Sequence, residues 1–170
     1  MNKTIKLIIL FVVIIALCIA LYFIKGITTQ NKNPQLLSIS SKDIVNVSWT
    51  KEGCRPAILT KNKDGKWECE GIIIKDAYIN DIYEALGDLR AEEIISDFDD
   101  LGAFGLLDPE LAAIVQTKDT TYEFLIGDMN PYTQGYYIQI VGDKNVYLLP
   151  KLSKLQYAFN YDIDMLLQNQ

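Results

Sequence analysis

AILTKNKDGKWEC, from Ala57 to Cys69, contains the turn that decides how this chain folds. Asp64-Gly65 is a strong signal for a two-residue β-hairpin, because both residues tolerate the positive φ angles that such a turn requires. The residues before the turn, Ala57 to Lys61, and those after it, Lys66 to Cys69, are expected to be strands. The sequence therefore predicts an antiparallel pair at this point.

The segment that precedes the hairpin has the pattern of a third strand. Val45, Val47 and Trp49 alternate with the polar Asn46 and Ser48, as in a strand that buries one of its faces. This strand and the hairpin together predict an antiparallel meander.

One amphipathic helix is predicted after the meander. Asp76 is a favourable N-cap residue, and Ile79, Ile82, Leu86 and Leu89 follow it at the spacing of a single apolar stripe. We expect this stripe to pack on the sheet.

Further strands and a closing helix complete the pattern. The strands are predicted at Ala91 to Ser96, Leu111 to Thr117, Tyr122 to Ile126, Tyr136 to Val141 and Val146 to Leu149. Leu152, Leu155 and Phe159 share one helical face and indicate the final helix. This order of elements predicts an α+β domain with a mostly antiparallel sheet and one or two packed helices.

The N-terminus carries 18 consecutive uncharged residues, Leu7 to Ile24, about the length of a membrane-spanning helix. A cleavable signal peptide is the alternative, but its apolar part is shorter, and the end of this run, Tyr22 to Gly26, has no small-x-small cleavage site. Cys18 follows the bulky Leu17, so we interpret it as a buried apolar residue rather than a lipidation site. An uncleaved transmembrane anchor is expected.

Three regions follow from this interpretation: an anchor over residues 1–25, a polar tether over 26–36 and one folded domain over 37–170. The anchor is expected to contact the lipid bilayer through residues 7–24. A short N-terminus of this kind stays cytoplasmic while a long C-terminal portion is exported. We expect a single-pass protein of the cell membrane with an extracytoplasmic domain.

The charge of the exported portion limits its partners. Lys3, Lys6 and Lys25 are the only basic residues among the first 25, whereas all 22 acidic residues come later, so the remainder has a net charge of −9. Such a surface repels polyanions, and the basic patch of a nucleic-acid-binding protein is missing. We therefore expect no nucleic-acid partner.

Short motifs occur in a characteristic order along the chain. They are Asp64-Gly65-Lys66-Trp67, Phe104-Gly105-Leu106 with Pro109, Leu125-Ile126-Gly127, Tyr136-Tyr137-Ile138 and Val146-Tyr147. This order resembles the bacterial family called domain of unknown function 4340, over Ile44 to Leu167. Some members are encoded beside ABC transporter components, so the resemblance implies an accessory role in such a transport system. It brings no catalytic residues with it.

Folding roles are expected for the recurring residues of these motifs. They are Trp67, Phe104, Gly105, Leu106, Pro109 and Gly127. Phe104, Leu106 and Leu107 are expected to be apolar plugs under a turn, and Gly105 is expected to adopt a positive φ angle.

The stretch Asp97 to Asp108 has a partial resemblance to a calcium-binding loop. Asp97 and Asp99 occupy positions 1 and 3, a glycine occupies position 6 and Asp108 occupies position 12. Leu101 at position 5 offers no side-chain oxygen, so the alternative is a loop of solvated acids. Together with Asp100, these acids form a candidate site for weak cation binding.

The inventory of reactive groups argues against catalysis. The chain has no histidine, which excludes Cys-His and Ser-His-Asp mechanisms. Paired-carboxylate chemistry is left as the alternative, with Glu92, Glu93, Asp97 and Asp99 as the nearest acids, although acids on a solvated strand and loop are ordinary. No cofactor is implied.

Two cysteines of the exported portion are expected to be free thiols. The hairpin aligns Cys69 with about Thr60, six residues from Cys54. At ~3.3 Å per residue this separation is ~20 Å, too long for a disulfide unless Pro56 turns the chain back.

Three tyrosines form the candidate binding residues. Tyr132, Tyr136 and Tyr137 lie close together in sequence, and exposed tyrosines are common at binding surfaces. The alternative is that they only cover the sheet. The sequence as a whole predicts a noncatalytic binding or assembly module, and a membrane-protein partner is expected. A carboxylate enzyme of the cell envelope and a weak cation-binding domain are the alternatives.

The predicted anchoring can be tested with protease on spheroplasts. Residues beyond Gly26 are expected to be digested without cell lysis, because they lie outside the membrane. A cytoplasmic marker protein should stay intact as the control. Protection of the domain until lysis would contradict the predicted orientation.

Overall fold

The computed structural model describes residues 12–15 and 33–168. Residues 12–15 are helical, and the rest of the predicted anchor, 7–24, lies outside the described residues. Among the residues described, no helix is long and apolar enough to cross a bilayer. Residues 33–170 form a compact unit, and the fold presented below is that of this unit.

Eleven strands are present in residues 33–168. They are β1 Gln35–Leu37, β2 Ile44–Lys51, β3 Ala57–Lys61, β4 Trp67–Cys69, β5 Ile72–Ile73, β6 Leu89–Arg90, β7 Glu93–Ile95, β8 Leu111–Thr117, β9 Thr121–Met129, β10 Tyr136–Ile140 and β11 Val146–Leu148. β1 begins at Gln35, so the folded unit includes the last part of the predicted tether, 26–36.

Nine of these strands form one antiparallel sheet in the order β5-β4-β3-β2-β8-β9-β10-β11-β7, and β1 pairs separately with β6. The predicted meander is confirmed as β2-β3-β4, with Ser48 opposite Ile58 and Thr60 opposite Glu68. A β-bulge between Ile44 and Asn46 interrupts the predicted alternation, so Ile44 is buried together with Val47 and Trp49 while Val45 is only half-buried.

The helices in the same range are α1 Asp76–Gly87, α2 Leu155–Ala158 and α3 Ile163–Gln168, with a 3₁₀ turn at Leu101–Phe104. The apolar stripe of α1 is confirmed at Ile79, Ile82 and Leu86, which are buried. The predicted N-cap is wrong by one residue, since Lys75 is the cap and Asp76 is the first helical residue. Leu89 is buried in β6 after the helix has ended.

The main hydrophobic core lies on one face of the sheet, which we call the inner face. Its central row is Ala57–Trp49–Ala113–Phe124, taken from neighbouring positions on four strands. All four side chains are buried, in one cluster with the stripe of α1 and with Leu155 and Phe159. These contacts confirm the α+β class with a mostly antiparallel sheet.

The C-terminal segment closes the inner face and differs from the single helix that was predicted. It forms the short helices α2 and α3, and Leu152 is exposed rather than part of an apolar stripe. The Trp49 ring lies 6.1 Å from that of Phe159, and its indole N–H donates to the Tyr161 carbonyl at 2.9 Å. Trp49 thereby joins the centre of the sheet to the end of the chain.

The opposite face, which we call the outer face, is covered at one end by the loop 97–109. Leu106 is buried there and Phe104 is half-buried, but Leu107 is exposed, so its predicted role as a plug is wrong. Gly105 has φ 67°, which confirms its predicted left-handed conformation. The loop can pack closely on β9 because residue 127 is a glycine: a Cβ at Gly127 would collide with the carbonyl oxygen of Phe104.

Replacing Gly127 with alanine should destabilise the domain. The added methyl forces the loop off the outer face, and overpacking of this kind costs about 1–3 kcal/mol. Gly87→Ala is the matched control: a Cβ there meets no atom within 4 Å, and alanine favours the helix. Chemical denaturation measures both free energies of unfolding. Equal unfolding midpoints for the two variants would contradict the packing of the loop on β9.

Candidate functional site

The predicted tyrosine cluster is divided by the sheet. Tyr132 is 93% exposed at a loop tip, whereas Tyr136 and Tyr137 are half-buried and successive on β10, so they point to opposite faces. The Tyr137 hydroxyl accepts a hydrogen bond from Asn130 Nδ2 at 2.6 Å, and its ring packs edge-on against Phe104 at 4.9 Å. Tyr137 therefore supports the loop 97–109, whereas Tyr136 lines a cavity.

This cavity, the strand-end cavity, lies between the ends of the central strands and the C-terminal segment, and its volume is about 140 Å³. Its polar lining comes from Lys51, Glu110, Tyr136, Gln156, Tyr157 and Asn160. Its apolar lining comes from Leu111, Ile126 and Gly127. Lys51, Leu111 and Ile126 are neighbours across β2, β8 and β9, so the sheet register sets this wall.

Gln156 is the most unusual residue of the strand-end cavity. It is only 5% exposed, and its Oε1 atom is buried with no hydrogen-bond partner. A buried polar group without a partner costs about 1–3 kcal/mol. Gln156 thus combines a position in the cavity lining with an acceptor that has no protein partner among the described residues.

Two opposite charges lie in the lining of the strand-end cavity. The half-buried Lys51 and the exposed Glu110 both contribute to it. Neither side chain forms an ion pair within residues 33–168. Both charges are therefore available to a ligand.

A second candidate site is the bare part of the outer face, away from the loop 97–109. Its central row is Ile58–Ser48–Ile114–Glu123, followed by the row Thr50–Ala112–Leu125. Ile58 is 57% exposed and Ile114 is 41% exposed. They border a groove of about 240 Å³ that also contacts Pro56 and Ala112. We call this surface the sheet-face groove.

The charges around the sheet-face groove are acidic. Glu123 ends its central row, and Glu68 lies on the adjacent row, opposite Thr60. The rows given by the register contain no lysine or arginine on this part of the outer face. The groove is thus apolar in the middle and negative at its margins.

The predicted cation ligands are not brought together. Asp100 is the N-cap of the 3₁₀ turn, and its Oδ1 accepts from the Gly102 amide at 2.8 Å. Asp97, Asp99 and Asp108 are exposed, and no group of three or more potential metal ligands occurs among the described residues. The geometry therefore gives no support to a cation site in this loop.

The remaining reactive residues are also dispersed. Cys54 and Cys69 are free thiols, and the alignment of the hairpin differs by one residue from the prediction, since Thr60 pairs with Glu68. Burial raises the pKa of the Cys69 thiol, which keeps it protonated and poorly nucleophilic at neutral pH. Glu92 and Glu93 are exposed at the edge of the sheet.

Two further motif residues have positions that suit their expected folding roles. Trp67 is buried, and its indole N–H donates to the Tyr83 hydroxyl at 2.7 Å, while Lys61 Nζ lies 5.2 Å from its ring. Pro109 is half-buried at the end of the loop, directly before β8. The hydrogen bond between Trp67 and Tyr83 joins β4 to α1.

Gln156 was not among the residues predicted from the sequence. It stands between Leu155 and Tyr157 in a segment whose apolar spacing predicts a helix, so it reads as an ordinary polar helix position. Its burial becomes visible only when α2 packs on the core through Leu155 and Ala158.

The fold and these two sites define a small α+β domain built on one antiparallel sheet. The sequence profile of the family described as Domain of unknown function (DUF4340) matches residues 70–162, more than half of the 170 residues. The chain belongs to this family, which confirms the resemblance given by its motifs. Comparison with curated proteins and with solved structures gives no match.

Substituting Gln156 with methionine should stabilise the domain. Methionine has a similar length and removes the unpartnered amide, so we expect a gain of about 1 kcal/mol in the free energy of unfolding. Gln116→Met, at an exposed position on β8, is the control and should change stability by no more than about 0.5 kcal/mol. A loss of stability in Gln156→Met would show that the amide is satisfied in solution.

Proposed function

We propose that this chain is a membrane-anchored, noncatalytic binding module whose extracytoplasmic domain recruits a membrane-protein partner. The observation that carries the proposal is the sheet-face groove. Ile58 and Ile114 of its central row lie on a face whose other end is covered by the loop 97–109. Exposed apolar side chains that gather around a groove are typical of interaction sites.

The shape of the groove suits a ridge of apolar side chains from a partner. Ile58 and Ile114 flank Ser48 on three adjacent strands, and Ala112 lies on the next row. The two isoleucines are separated by a small side chain, which leaves the concave surface between them. An amphipathic helix can place apolar side chains into such a surface.

The acidic margin identifies the charge of the partner. Glu68 and Glu123 lie on the same face as Ile58 and Ile114, and the portion of the chain beyond residue 25 carries a net charge of −9. Basic residues flanking an apolar stripe would meet these carboxylates and accelerate association. We therefore assign the groove to a basic, amphipathic segment of the partner.

An ABC transporter component is the partner class that we propose. The support is the family membership together with the N-terminal run Leu7 to Ile24, which would hold the domain beside such a partner in the same membrane. Stoichiometric recovery of transporter subunits with the tagged chain from solubilised membranes tests this assignment. Recovery of the chain free of these subunits would contradict it.

Peptide binding tests the groove itself. The probe is a fluorescent amphipathic helix of leucine and lysine, measured by anisotropy with the full-length chain in detergent. Ile114→Ser and Ile58→Ser should each weaken binding about fivefold, because each removes apolar contact area worth roughly 1 kcal/mol. Glu123→Gln should weaken it at low salt.

Leu152→Ser provides the matched control for the peptide experiment. Leu152 is an exposed leucine outside the groove, so its substitution should leave the affinity unchanged. The same helix with glutamate in place of lysine should bind more weakly. Equal binding of the two peptides, or equal losses in Leu152→Ser and Ile114→Ser, would contradict the proposed docking surface.

A further inference from the structure

We infer that the strand-end cavity is a second binding site, which takes one neutral sugar unit of a glycan. It is separate from the sheet-face groove, because Leu111 and Ile126 of its wall lie on the inner face. The inference does not depend on the proposed partner. It rests on the charges, hydrogen-bonding groups and volume of the cavity.

The two charges favour a ligand without net charge. Lys51 and Glu110 both line the cavity, and neither forms an ion pair within the part of the chain described. An anionic ligand is attracted by Lys51 but repelled by Glu110. A cationic ligand is attracted by Glu110 but repelled by Lys51. A neutral polar ligand can accept a hydrogen bond from the ammonium group and donate one to the carboxylate.

The hydrogen-bonding groups favour hydroxyls in particular. Gln156 and Asn160 contribute amides, each with donors and an acceptor, and Tyr136 and Tyr157 contribute phenols. A sugar hydroxyl both donates and accepts, so it can match each of these groups. Gln156 lines the cavity, and its buried Oε1 atom has no hydrogen-bond partner in the described part of the chain.

The size and walls of the cavity favour a single ring. Its volume of about 140 Å³ is well below the ~300–1,000 Å³ of pockets for drug-sized ligands and cofactors. Tyr157 is exposed and Tyr136 is half-buried, so aromatic surface is available to the apolar C–H face of a sugar. Leu111 and Ile126 add apolar contact, which leaves room for one pyranose unit.

Three sugars of the same ring shape test the inference. Methyl glucoside is neutral, glucuronate is anionic and glucosamine is cationic. Each is titrated into the full-length chain in detergent, with binding followed by ligand-observed saturation-transfer NMR. We expect saturable binding of methyl glucoside and weaker binding of both charged sugars.

Two variants and one control locate the binding. Tyr157→Ala and Gln156→Met should each weaken the binding of methyl glucoside by about tenfold or more, or about 1.4 kcal/mol. Tyr132→Ala is the control, since Tyr132 is an exposed tyrosine that does not line the cavity, and it should leave the affinity unchanged. Retained folding of each variant is checked by its unfolding midpoint.

Four results would overturn the inference. They are the absence of saturation by methyl glucoside, tighter binding of either charged sugar, a larger loss in Tyr132→Ala than in Tyr157→Ala, and preferential binding of acetamide, which mimics an amide side chain of a peptide. The basic peptide of the docking experiment does not enter this test. Failure of the sugar titration therefore does not contradict the sheet-face groove as a docking surface. Failure of the peptide experiment does not contradict the sugar site in the cavity.

Discussion

The contact between Trp49 and the C-terminal segment is the interaction on which the rest of the domain depends. The buried Trp49 ring packs 6.1 Å from Phe159, and its N–H reaches the Tyr161 carbonyl. A buried indole donor without a partner would cost about 1–3 kcal/mol, so this hydrogen bond fixes the segment in one position. Because Trp49 lies in the central strand pair, the end of the chain is fastened to the middle of the sheet.

Both candidate sites follow from the way the sheet is covered. The C-terminal segment closes the inner face but leaves a gap at the strand ends, and Gln156 and Tyr157 come to line that gap. On the outer face, the loop 97–109 is admitted at Gly127 and extends over one end only. Ile58 and Ile114 stay exposed because no other described segment covers them.

The strands and α1 could be predicted because their signals are local. The alternation through Trp49 and the Asp64-Gly65 signal depend only on neighbouring residues, and they gave the correct order of strands. The two-residue turn itself is wrong, since the Asn62 amide donates to the Lys66 carbonyl and, of the pair, Gly65 but not Asp64 has a positive φ angle. Leu107 and Gln156 could not be placed in the same way, since their burial depends on which distant segment covers them. Tyr136 and Tyr137 are different, because the predicted strand from Tyr136 to Val141 already implies that adjacent side chains point to opposite faces.

Native-state hydrogen exchange of wild type and Trp49→Phe tests the role of Trp49 most directly. The substitution keeps an aromatic ring but removes the donor to Tyr161. We predict that the Tyr157 and Ala158 amides, which donate to the Lys154 carbonyl, lose protection while the β8 and β9 amides keep theirs. Unchanged protection in the C-terminal segment, or an equal loss throughout the sheet, would contradict this account.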